Sequence, residues 1–241
     1  MRSSPPPTLE GADCERILDA LRSNSGTLKK TLLSVRNHCM ALLMLEAGLR
    51  VGELVSLRMS DLYFNSVPVR NIIIKPHMTK NKVEHEIPVS DRLSESLCSY
   101  LNTCFRWDDV RGSDFAFTNV STDRPITARQ VERIICAAGW KALGRPVNPH
   151  MFRHTAGSKW MRVTNSSTVQ HMLGHKYLTS TQVYCHPNAD DKRQAIKQAS
   201  LPVPPDQHSQ QETEKPAEPA NPSNPGPVPA SPLFSPEKSR W

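Results

Sequence analysis

The chain has 241 residues, 37% of them hydrophobic and 22% charged, and a formal charge of +7 at neutral pH. Of its 21 prolines, 11 fall in the last 41 residues, a tail with 3 basic and 5 acidic side chains; the 200-residue body before it carries 27 basic against 18 acidic residues, or +9. No apolar run approaches the roughly 20 residues that span a bilayer, the N-terminus lacks a secretory h-region, and six scattered cysteines without a Cys-x-x-Cys pair read as reduced thiols, neither a disulfide framework nor a zinc ribbon. The expectation is a soluble, cytoplasmic protein, with no membrane association and a polyanionic partner.

Residues 1–12 are rich in Ser and Pro and are expected to be disordered. A short helix over Cys14 to Leu21 sets Ile17, Leu18 and Leu21 on one side, and a longer one runs from Leu32 to Ala47 and stops at Gly48. Helical spacing resumes over Val51 to Leu62, with Leu54, Leu57 and Leu62 sharing a face. The β signal that follows is a hairpin, Val69–Lys75 and Val83–Val89, around the polar stretch HMTKNK. Helices are then expected near 91–104, 127–143, 152–162, 167–173 and 189–199, with a short strand at Phe115–Thr118. From 201 to 241 the chain cannot bury enough apolar surface to order itself. The fold class read from this is mainly α with a small antiparallel β element (α+β), a domain over 13–200 between two disordered ends.

Three clusters carry polar groups that a bare fold does not need. In GLRVGEL, Arg50 sits at a helix junction with Glu53 three residues on, close enough to be oriented by it. In HMFRHT, His150 and Arg153 lie i,i+3 near a helix start, where anions are favoured. In LGHKYLTSTQVY, His175 follows a glycine and Tyr184 comes nine residues later. Lys80 in the hairpin loop is a fourth candidate. Each has an ordinary reading when taken singly: a surface ion pair, a capping histidine, a core tyrosine, a solvated turn lysine.

Taken together and in this order, GLRVGELVSLRMSDL, TKNKVEHEIPV, HMFRHT and LGHKYLTSTQVY resemble the catalytic domain of the tyrosine recombinase (phage integrase) family, over roughly Val35 to Lys197. The resemblance implies that family's fold and a site of Arg50, Lys80, His150, Arg153, His175 and the nucleophile Tyr184, with Glu53 supporting Arg50. Lys80 is chosen because it precedes Pro88 by eight residues, as the family's lysine precedes its proline; Lys82 is the fallback. It implies breakage and rejoining of double-stranded DNA through a 3′-phosphotyrosine, as in integration, excision or inversion, with neither ATP nor a metal ion as cofactor. The chemistry suits the residues. Two arginines offer planar donor pairs to the equatorial oxygens of a five-coordinate phosphorus. A tyrosine, with its pKa near 10, needs a proton acceptor or a cationic site, and His150 and Lys80 serve as base and acid.

The resemblance has gaps. Family members carry a helical DNA clamp of about a hundred residues before this domain, and about 35 residues precede the matched region here. Binding is therefore expected to rest on phosphate contacts and to be strongly salt-dependent, with an accessory DNA-binding protein as a possible partner. The segment DDKRQAIKQA, Asp190 to Ala199, stands where relatives pack onto a neighbour in a tetramer; it is thin in apolar residues, so assembly is expected on DNA. Arg129, Arg133 and Lys141 lie on an expected DNA-facing helix. Rival readings are a catalytically silent DNA-binding protein, a type IB topoisomerase, and a metallohydrolase using His150-x3-His154 or His171-x3-His175. The last lacks the carboxylate that such a helix pair requires.

Overall fold

The stretch from His38 to Leu45 is apolar almost all round, and in the computed structural model it is buried all round, as a helix at the centre of a core must be. It belongs to α2 (Leu28–Glu46), along which α5 (Asp91–Cys104) and α7 (Pro149–Met161) pack. The structure describes residues 8–22, 26–79, 82–105, 111–177, 179–182, 193 and 196–197. The chain divides into two units, Met1–Asn188 and Ala189–Trp241. Of the second unit, Arg193, Ile196 and Lys197 are described; they are helical and exposed. Most of the helix expected at 189–199, and the tail after it, lie outside the described residues.

Helix α1 (Gly11–Leu21) turns Cys14, Ile17, Leu18 and Leu21 onto the core and lies against α6 (Ala128–Leu143). The N-terminal stretch is ordered earlier than its composition suggests. Leu9 is buried, its N–H donates to Thr155 Oγ1 at 2.9 Å, and residues 11 and 12 already belong to α1.

The single helical stretch expected over Val51–Leu62 is two short helices, α3 (Val51–Ser56) and α4 (Met59–Leu62). Leu57 and Arg58 between them are extended, because the Asp61 carboxylate caps the Arg58 N–H at 2.8 Å and the 112–116 segment takes the neighbouring backbone: Ala116 N–H donates to the Leu57 carbonyl at 2.8 Å, and Met59 N–H to that of Asp114 at 2.9 Å. The expected strand at Phe115–Thr118 reduces to two isolated bridges, Phe115 with Arg58 and Thr118 with Pro125.

Two small antiparallel hairpins complete the described fold. The expected one pairs β3 (Asn71–Ile74) with β4 (His85–Pro88); Ile72, Ile74, His85 and Ile87 point inward. The other, β1 (Tyr63–Phe64) with β2 (Val67–Pro68), turns on Asn65 and Ser66, whose φ angles of +48° and +64° suit a tight two-residue turn. Strands of two residues carry no alternation to read, so this hairpin had no sequence signal. After α7 come α8 (Ser166–Met172) and α9 (Thr179–Gln182). The result is the mainly α architecture with small antiparallel sheets that the sequence led one to expect. Among the described residues no helix is long and apolar enough to cross a membrane, and the five described cysteines are free.

Candidate active site

Gly48 ends α2 in the left-handed region, φ +61°, where an added Cβ would lie 2.8 Å from the Trp160 ring. This tight exit delivers Arg50 to the N-cap of α3 in an extended conformation. Glu53 in the first turn then reaches back with both oxygens. Oε2 accepts from the Arg50 backbone N–H and Oε1 from Arg50 Nη1, each at 2.7 Å. The carboxylate is 1% exposed, so it must be paired to be tolerable.

A second arginine supplies the other half of that pairing. Arg153 on α7 is 3% exposed, and its Nη1 lies 3.6 Å from Glu53 Oε2. Nη1 also donates to the Gly48 carbonyl at 2.6 Å, and Nη2 to the Leu173 carbonyl at 2.5 Å. One guanidinium thus ties the exit of α2, the carboxylate of α3 and the turn after α8 together.

The helix that carries Arg153 starts at Pro149, three residues before the expected start at 152, and so takes in His150. Asn148 caps α7, accepting from Met151 N–H at 3.1 Å, and Pro149 takes the first position, where its missing N–H costs nothing. His150 is therefore in the first turn, exposed, with its ring stacked on His154 at 5.3 Å between centroids and 17° between planes. Burial, then the neighbouring His150 and Arg153, push the His154 imidazole down. Arg50, His150 and Arg153 line one cleft of about 670 Å³, together with Met78 before the hairpin loop and Glu132 and Cys136 of α6. Neither α6 side chain was singled out from the sequence; their i,i+4 spacing marks a common face without saying what it looks onto.

His175 is not among the residues lining that cleft but is joined to it through Arg153 and the Leu173 carbonyl. Its backbone N–H bonds the Gln170 carbonyl at 3.0 Å, Gln170 Nε2 returns a bond to the His175 carbonyl at 3.1 Å, and Nδ1 lies 3.0 Å from Thr181 Oγ1. Burial, followed by Arg153 and Arg50, pushes its imidazole down to about 4, so the ring is neutral at physiological pH.

Lys80 and Tyr184 lie outside the described residues; the fallback Lys82 is exposed, with φ +53°. On α6, Arg129 and Arg133 are exposed. Lys141 on the same helix is also exposed; its ammonium donates to the Ala20 carbonyl of α1 at 3.1 Å, and it lies 80° beyond Arg133 at the helix's roughly 100° per residue, on the α1 flank. Among the described residues no three His, Cys, Asp or Glu side chains are grouped to share a metal ion.

A family model, that of the phage integrase family, matches residues 7–191. A tyrosine recombinase of Pseudothermotoga lettingae is 30% identical over 171 residues, 70% of this chain and 56% of that protein. Among solved structures, the XerA recombinase superposes with a TM-score of 0.63 at 23% identity, covering 84% of this chain and 66% of that one. The XerH recombinase bound to its difH substrate superposes with a TM-score of 0.58 at 21% identity, covering 83% and 56%. At these identities the structures establish a common fold. The chain belongs to the phage integrase family, and it spans little more than half the length of the P. lettingae relative.

Proposed function

We propose that this chain is the catalytic part of a site-specific DNA recombinase acting through Tyr184. In this reading Tyr184 Oη attacks the scissile phosphorus, the bond from phosphorus to the 5′-oxygen breaks, and the departing oxygen takes a proton from the Lys80 ammonium. The tyrosyl proton passes to His150. Arg50 and Arg153 hold the two equatorial oxygens as charge builds on them, and neutral His175 donates to a phosphate oxygen. The product, a 3′-phosphotyrosine and a free 5′-hydroxyl, keeps the ester energy and reverses on religation without ATP or metal.

The observation that carries this reading is the placement of Glu53: a buried carboxylate between two arginines from distant parts of the chain, both of which line one cleft with His150. A buried ion pair alone would need one arginine; two, converging at a cleft, match a phosphodiester. The substrate is double-stranded DNA, engaged by the exposed Arg129 and Arg133 of α6, the helix whose Glu132 and Cys136 line the cleft, in the cytoplasm with the nucleoid. The active assembly is a tetramer formed on DNA, with the 190–199 segment as the exchange contact and room for an accessory DNA-binding protein.

The test is a covalent-adduct assay in EDTA, with supercoiled DNA carrying the gene's own flanking sequence, on the wild type and Tyr184→Phe. Protein-linked DNA that forms without metal and is absent from the Phe variant is the expected result. Nicking that requires metal would replace this reading with a hydrolase. Binding without any cleavage would replace it with a silent DNA-binding module.

A further inference from the structure

Beside the arginines sits a titratable group to which that chemistry gives no work. His85, on β4, is 2% exposed. Its Nδ1 lies 3.4 Å from the Val83 carbonyl, and its Nε2 is fully buried with no hydrogen-bond partner among the described residues. A buried polar nitrogen left so costs stability that a leucine at this inward position would not. The charged groups facing it come from two other elements: Glu53 with Arg50 of α3, and Arg153 of α7. Burial pushes the imidazole down, Glu53 opposes this, and the two arginines reinforce it, leaving a neutral ring at the edge of a cationic site.

The ring's position is set by one residue of the LGH string. Gly174 has φ +58°, and a Cβ built there would fall 2.5 Å from His85 Nδ1 and 2.6 Å from Cε1. No side chain fits between them, so the turn before His175 and strand β4 meet ring against backbone. The same turn gives its Leu173 carbonyl to Arg153. The β3–β4 hairpin, whose loop contains Lys80, is thereby indexed to the element that carries His175.

We propose that His85 is a positioning residue for strand cleavage: its imidazole, seated against Gly174, fixes the β3–β4 hairpin relative to the His175 turn, and so sets where the hairpin's lysine meets the departing oxygen. The inference rests on the role given to Lys80 above.

A 5′-bridging phosphorothiolate separates the two ideas. In that substrate the phosphorus–sulfur bond breaks and the sulfur leaves as a thiolate; thiols ionise near pH 8.5, about seven units below a water-like hydroxyl, so no proton need be delivered. Full-length wild type, His85→Ala, His85→Gln and Lys80→Ala are compared in single-turnover cleavage of oxygen and sulfur duplexes, at the site mapped by the wild-type adduct. His85→Ala is expected to be about 100-fold slower on the oxygen substrate, the scale of an ångström misplacement, and to return close to wild type on sulfur, as Lys80→Ala does. His85→Gln, which refills the space, is expected to recover most of the loss. Gly174→Ala, which puts an L residue at φ +58° and drives a methyl into the ring, should be slow on the oxygen substrate. If Lys80→Ala stays slow on sulfur, the lysine's role as acid fails, and this proposal with it. If Lys80→Ala is rescued and His85→Ala is not, or if His85→Ala is not slow on oxygen, the positioning role alone is wrong.

Discussion

Replacing Glu53 by Gln is the sharpest perturbation of the site, because it removes one charge and almost no volume. Both carboxylate oxygens accept hydrogen bonds from Arg50 at 2.7 Å, and Arg153 lies 3.6 Å away. Whichever way a glutamine amide is turned, its NH2 faces either the Arg50 backbone N–H or the guanidinium, donor against donor. Breaking a buried pair by removing one partner costs about 3–5 kcal/mol. The Arg50 side chain is 29% exposed and recovers some solvation, so the low end, about 3 kcal/mol, is the figure to expect. For a domain of this size that is a fall in Tm of about 6–12 °C. In the proposed mechanism Arg50, freed from its anchor, would meet the phosphate out of register, and single-turnover adduct formation should fall about 100-fold. Glu53→Asp keeps the charge but is one methylene too short to hold the backbone N–H and the guanidinium together, so it should lose more activity than stability. Thermal unfolding and adduct kinetics at saturating DNA read both quantities. A Glu53→Gln protein that melts within about 2 °C of wild type and cleaves at its rate would refute the reasoning.

Three further outcomes follow from the same geometry. Gly48→Ala places an L residue at φ +61° and a methyl 2.8 Å from Trp160, so the urea midpoint should fall by the equivalent of at least about 1–2 kcal/mol, and cleavage should fall with it because the Gly48 carbonyl receives Arg153. The folded-state value of His175, about 4, lies below its ordinary 6.5; the unfolded chain then binds more protons between the two, so this contribution to stability is complete above about pH 6.5 and is lost as pH falls toward 4. Tm against pH should lose part of that acid slope in His175→Asn. In DNA-binding titrations, Arg133→Ala should lower the slope of log affinity against log salt by about one, whereas Lys141→Ala, on the α1 flank of the helix, should lower it less.

Much of the fold was legible because local signals sufficed. The periodicity of α5, the glycine after α2 and the inward Ile72, Ile74 and Ile87 of the hairpin each announce themselves within a few residues. What escaped depended on partners far along the chain. The break at Leu57 is made by the 112–116 backbone, the burial of Leu9 by Thr155, and the hydrogen bond of Lys141 by a carbonyl of α1. The expected start of α7 at 152 falls three residues late, although Asn148-Pro149 is a cap signal in its own right and the i,i+3 pairing of His150 with Arg153 already reads as a helix start. His85 had a signal too, a polar residue sharing the inward parity of Ile87, but only the fold reveals that Gly174 is what it meets.

The four strings that mark this family are scattered over more than a hundred residues, and Arg153 explains why three of them act as one device. Its guanidinium accounts for the Gly48 carbonyl before Arg50, the Glu53 carboxylate after it and the Leu173 carbonyl before His175. Lysine cannot substitute here, since a single ammonium lacks the planar fork that reaches two carbonyls on opposite sides. The consequence is energetic coupling between Arg50 and His175 through a shared side chain. Arg50 and His175 should each lose function when Arg153 is changed to Lys, and a cycle combining Glu53→Gln with Arg153→Lys should fall well short of additive, because either change alone already releases the shared bracket. Strict additivity in both Tm and cleavage rate would mean that the two arginines are held independently, and that Glu53 serves Arg50 alone.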